Sequence, residues 1–129
     1  MADLSQTIKK ITDTPDYTES FSPQDIQQNK AMGILAYISI LVLIPIFAAK
    51  NSPYAKFHAN QGLLLLIAEA AVGLILGLLG LIPYVGVVFQ IVLWTCEVIF
   101  GALSVIGIVH AVFGKAKELP FLGGFYLLK

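Results

Sequence analysis

Residues 57–113 contain no Lys, Arg or Asp, and within them only two acids, Glu69 and Glu97, interrupt a nearly continuous apolar run. No other feature limits the fold so strongly. A water-soluble domain would need polar surface to cover such a stretch, and this chain has little. Of its 129 residues 57% are hydrophobic and 12% charged, about half the usual charged share. A bilayer supplies the matching environment, and in it a backbone that must satisfy its own hydrogen bonds forms helices. The mean hydropathy of +0.83 agrees. The expected class is all-α and integral to a membrane.

Spans are expected at residues 31–49, 57–82 and 85–113, with four spans as the alternative to three. Residues 1–29 carry Asp3, Asp13, Asp16, Glu19 and Asp25 against Lys9 and Lys10, and too little apolar surface to offset ordering. They read as a mobile acidic tail ahead of a membrane domain at 30–129. No cleavable signal is visible there, so targeting falls to the first apolar segment. Ser22-Pro23 and Ser52-Pro53 each place a capping hydroxyl before a proline, the usual opening of a helix. The apolar part of the second span, residues 62–82, would be about 31 Å long, one bilayer thickness. Pro83-Tyr84-Val85-Gly86 marks a turn. The third run would be about 45 Å if straight, so it must tilt, protrude or begin in non-helical form. Residues 114–129 read as an amphipathic interfacial strip. With three spans, Lys50, Lys56, Lys115, Lys117 and Lys129 share one side, which favours a cytoplasmic C-terminus and an external N-terminus.

Helical spacing lines up Gly62, Leu66, Glu69, Gly73, Gly77 and Gly80 on the second span. It lines up Gln90, Trp94, Glu97, Gly101, Ser104 and Ile108 on the third. Small residues let helix backbones approach in lipid, so these stripes predict a glycine-packed hairpin of spans two and three. Glu69 and Glu97 fall at mid-depth, where a charge is costly, and two carboxyls at one depth can share a proton. With Gln90 and Ser104 they are the intramembrane polar candidates, either as a proton or cation site or as interhelical hydrogen-bonding groups. His58 and His110 lie toward one face, where interfacial hydrogen bonding is the simpler role and a metal or haem pair the other.

Several function classes drop out. Zero net charge and the absence of Arg argue against a nucleic-acid surface. No nucleophile elbow, metal motif or phosphate loop frames the Ser, His and acidic residues, so no catalytic residue, metal ligand or cofactor is expected. Cys96 stands alone in an apolar run and reads as a packing residue.

One stretch carries a resemblance. Asn29-Lys30-Ala31-Met32, then residues 48–62 with Lys50, Ser52, Pro53 and the motif Phe57-His58-Ala59-Asn60-Gln61-Gly62, and the ending Gly114-Lys115-Ala116-Lys117-Glu118-Leu119-Pro120 resemble a family of small bacterial membrane proteins. That family is of unknown function and is related to the small channel-like subunit of the plastid inner-envelope import translocon. The resemblance implies a multi-pass protein of the bacterial cytoplasmic membrane that partners other membrane subunits or itself. It also implies an interface role for Lys50, Ser52, Pro53, Phe57, His58, Asn60, Gln61 and Gly62. The expected function is a non-enzymatic scaffold or accessory subunit. The alternative is a small oligomeric channel, or a proton- or cation-coupled transporter, using the two glutamates.

Overall fold

The computed structural model describes residues 2–128, apart from the side chains of Ala2 and residues 10–12. Lys129 and the Lys10 side chain, both part of the charge asymmetry, lie outside the described residues. Five α-helices follow in order: α1 (Ala2–Thr12), α2 (Pro23–Leu35), α3 (Leu43–Ala48), α4 (Pro53–Leu79) and α5 (Gly86–Val112), with short 3-10 turns at Thr18–Ser20 and Ser39–Val42. The described residues include no strand, only an isolated bridge between Asp16 and Lys117. The all-α expectation holds.

Both serine-proline openings work as read. The Ser22 hydroxyl accepts from the Asp25 N–H at 3.5 Å, and the Ser52 hydroxyl from the Ala55 N–H at 3.0 Å. Each proline fills the first helical position, where its missing N–H costs nothing.

Helices α4 and α5 form a long antiparallel hairpin. Each has 27 residues, about 40 Å, and both are long and apolar enough to cross a bilayer. Of their most apolar windows only 11% and 17% is buried, so these are not core helices of a soluble domain. The hairpin turns through residues 80–85. There a Cβ on Gly86 would lie 2.3 Å from the Gly80 carbonyl oxygen, and the Gln90 side-chain amide donates to that same oxygen at 3.2 Å.

The glycine stripe does not close this hairpin. Gly73, Gly77 and Gly101 have no atom within 4 Å of where a Cβ would stand, and Trp94 is 75% exposed. Of the stripe, Gly80 makes its close contact at the turn, against Gln90. The tight glycines sit at the opposite end: Gly62 presses on the Ala36 carbonyl and Gly107 on the Tyr37 ring. The two stripes face each other at Glu69–Glu97 and at Gly80–Gln90, but with room left at Gly73, Gly77 and Gly101.

Residues 31–49 differ most from expectation. Helix α2 ends at Leu35, the chain reverses through Ala36–Ile38, and Ser39 takes a left-handed φ of 49° before α3 leads back. The segment's two ends meet, since Asp25 accepts from the Ser52 hydroxyl at 2.6 Å and from the Tyr54 N–H at 2.9 Å. A bilayer-crossing segment would hold those ends about 30 Å apart. This one goes out and returns.

Residues 14–21 of the acidic segment are docked. The Tyr17 N–H donates to the Ala116 carbonyl at 2.8 Å, and the Glu118 N–H to the Pro15 carbonyl at 3.0 Å. The Tyr17 and Phe21 rings meet Phe57 edge-on, at 6.1 and 5.8 Å between centroids. Three aromatic rings close together supply apolar contact that the composition of residues 1–29 does not suggest. The N-terminal segment and the C-terminal tail therefore share one end of the hairpin. A three-span arrangement would have placed them at opposite ends.

Candidate functional site

The first turns of α4 are buried from every side. Tyr54, Ala55, His58, Ala59, Asn60 and Gln61 each have 1% or less of their surface exposed. Around them stand α2, the reversal at residues 36–42, the docked N-terminal segment and the C-terminal tail. A buried polar side chain needs partners, and here each partner can be named.

His58 lies between a phenol and a carbonyl. Its Nδ1 is 2.6 Å from the Tyr37 hydroxyl, and its Nε2 is 2.8 Å from the Lys115 carbonyl oxygen. A carbonyl only accepts, so the proton belongs on Nε2. Nδ1 then accepts from the Tyr37 O–H, and one neutral tautomer satisfies both atoms. Three further rings, Tyr37, Tyr54 and Phe57, meet His58 edge-on with centroids 4.8–5.4 Å away.

Asn60 and Gln61 clasp the C-terminal strip. Asn60 Oδ1 accepts from the Leu127 and Leu128 N–H groups at 2.6 and 3.1 Å, while its amide donates to the Phe125 carbonyl at 2.8 Å. Gln61 accepts from the Leu119 N–H at 2.9 Å and donates to the Gly123 carbonyl at 3.1 Å. Residues 119–128 form neither helix nor strand, so their buried backbone groups need partners of both kinds. A carboxamide carries both a donor and an acceptor, which explains why Asn and Gln occupy these positions. At the tail's start Gly114, with φ of 68°, ends α5 in the left-handed conformation that suits glycine.

The remaining motif residues divide. Ser52, Phe57 and Gly62 are buried structural parts; Pro53 is exposed at the first helical position and Lys50 is exposed. His110 sits near His58 and is hydrogen-bonded to the Lys117 backbone, while its buried Nδ1 has no partner among the described residues. No three His, Cys, Asp or Glu side chains converge among the described residues. Cys96 is half-buried with a free thiol.

The intramembrane candidates lie far from this clasp. Glu69 and Glu97 face each other across the hairpin, their carboxyl groups near enough to interact. Glu69 is half-buried and Glu97 exposed on the hairpin surface. Gln90 fastens the turn, and Ser104 is half-buried on α5 away from the glutamates.

Two residues of the clasp were not marked by sequence reasoning. Asp25 was read as a first-turn acid of α2, yet it also closes the loop onto Ser52 and Tyr54. Tyr37 lies inside the expected first span at residues 31–49. Its signal was present, because a tyrosine inside an apolar run needs a partner for its hydroxyl.

Fold and site together define an all-helical chain with a long apolar hairpin rising from a hydrogen-bonded foot. Comparison with protein-family models, with curated proteins and with solved structures finds no match for it.

Proposed function

We propose that this chain is a non-enzymatic membrane protein, a scaffold or accessory subunit whose α4–α5 hairpin crosses the bacterial cytoplasmic membrane. The observation that carries this reading is the contrast between foot and hairpin. In the foot, His58, Asn60 and Gln61 are engaged by the chain's own backbone, whereas the hairpin leaves large apolar side chains such as Leu74, Leu78, Trp94 and Val98 60–75% exposed. Such a surface meets lipid or other membrane helices.

The docking of both terminal segments at the foot revises the orientation argument. Every lysine in the sequence lies outside residues 57–113, so a two-span hairpin has all of them on one side and none in its turn. Positive charge retained inside then puts the foot and both termini in the cytoplasm. The family resemblance makes a protein-translocation complex the first assembly to test. Purification of the full chain from membranes in mild detergent should bring down a defined membrane partner or a second copy at fixed ratio. A lone, monodisperse monomer at every detergent strength would remove the subunit reading.

The facing carboxyl groups of Glu69 and Glu97 support a second reading, a small proton- or cation-conducting assembly. Purified protein in vesicles tests it. A pH-dependent flux abolished by Glu69→Gln or Glu97→Gln, with the fold retained, would make this the better account. Absence of flux in the parent protein rejects it.

A further inference from the structure

We infer that residues 36–48 form a re-entrant wedge, entering the hydrocarbon of the cytoplasmic leaflet beside the hairpin and returning without crossing. Irregular backbone survives at membrane depth only where it is buried in protein and hydrogen-bonded. The reversal meets that condition. Ala36 and Tyr37 are 1% and 2% exposed, and the Ala36, Tyr37 and Ile38 N–H groups donate to Met32, Ile34 and Leu35 carbonyls at 3.1–3.3 Å. Gly62 and Gly107 provide the gaps that admit the Ala36 carbonyl and the Tyr37 ring.

The other side of the segment has no protein cover. Ile38, Ile40, Leu43, Ile44 and Phe47 are 39–66% exposed and carry no polar atom in their side chains. The 3-10 turn and α3 together run about 17 Å, roughly half of a ~30 Å hydrocarbon core. Their seat is the foot end of the apolar stretch, against Leu63, Leu66 and Ile106. From Gly62 the hairpin continues about 27 Å to its turn at Gly80, so the wedge flanks only its near part. The occupant of the exposed face is therefore the acyl chains of that leaflet. Asp25, bonded to Ser52 and Tyr54, holds the wedge's two ends at one level.

This inference rests on the membrane reading, which native Trp94, 75% exposed on α5 and the chain's single tryptophan, tests separately. The experiment uses the full chain with Cys96→Ser and one introduced cysteine at a time, in intact cells, inverted vesicles and reconstituted phosphatidylethanolamine–phosphatidylglycerol vesicles. Gln28→Cys and Asn51→Cys, both exposed, should react with an impermeant maleimide in the same preparation. A fluorophore at Ile40→Cys or Ile44→Cys should be quenched several-fold more by lipids brominated on the acyl chains than by aqueous iodide. Trp94 should be quenched by the same lipids. Reaction of positions 28 and 51 from opposite sides would mean a complete span and overturn the wedge. Preferential iodide quenching at 40 and 44, with Trp94 still quenched by lipid, would place the segment in water and also overturn it. An unquenched Trp94 would remove the membrane reading and the wedge with it.

Discussion

The clearest perturbation is a methyl group placed at two glycines of the same helix. At Gly62 a Cβ would stand 1.7 Å from the Ala36 carbonyl oxygen and 2.6 Å from its carbon. The closest ordinary carbon–oxygen approach is about 3.3 Å, so the reversal would have to withdraw by more than an ångström. That movement unseats Ala36 and Tyr37 and, through Tyr37, the partner of His58. Overpacking of this kind costs about 1–3 kcal/mol or more, against a gain of at most ~1 kcal/mol from replacing glycine in a helix. Gly62→Ala should thus lose about 2 kcal/mol. At Gly73 the methyl meets open space and only the gain applies, so Gly73→Ala should be neutral or stabilised by up to ~1 kcal/mol. The assay is denaturation of both purified variants in mixed dodecyl sulfate micelles, followed by near-ultraviolet ellipticity of the aromatic cluster at the foot. A difference of ~3 kcal/mol is a factor of more than a hundred in the unfolding equilibrium. If Gly73→Ala proves the more damaging, the hairpin closes through its glycine stripe after all and the packing described above is wrong.

Three further outcomes follow from the foot. Tyr37→Phe leaves His58 Nδ1 a buried acceptor without a donor and should cost about 1–3 kcal/mol in the same titration, and nitrogen shifts of the parent imidazole should show the proton on Nε2. Asn60→Ala removes partners from three backbone groups, so it should lose ~2 kcal/mol or more and speed proteolysis within residues 119–128, whereas exposed Lys50→Ala should stay within about 0.5 kcal/mol. Slight burial raises the Asp16 pKa, but the Thr18 hydroxyl and amide with Lys115 and Lys117 nearby outweigh it and hold the carboxyl below its usual value. Its contribution is then complete above the unfolded value near 4 and lost as pH falls through the lower folded one, so the protection factor of the Tyr17 amide against exchange should fall in acid and fall less in Asp16→Asn.

Much of the helical skeleton was legible because its signals are local. Ser22-Pro23 and Ser52-Pro53 fix two helix starts within a few bonds, and the long apolar run with one Pro-Tyr-Val-Gly interruption fixes the hairpin. The failures are all long-range. Nothing near residues 31–49 distinguishes a span from an excursion. That decision is made by Asp25 meeting Ser52, and by Gly62 and Gly107 opening gaps on helices encoded far downstream. The acidic tail read as mobile because its partners, residues 116–118, lie at the other end of the chain. The motif around His58 was legible as unusual, but its use was not. The resemblance implies only an interface role for Asn60 and Gln61, and they hold a strip that is neither helix nor strand.

The joining of the chain's two ends also sets a timetable. Thr14 bonds the Glu118 carbonyl across 104 positions, and the Ala116 N–H bonds the Thr18 hydroxyl across 98. In synthesis from the N-terminus, His58, Asn60 and Gln61 are made before residues 115–128, whose carbonyls and amides they hold. The foot therefore cannot close until residues 115–128 have been made. A chain shortened by its final dozen residues would keep both long helices yet never lock.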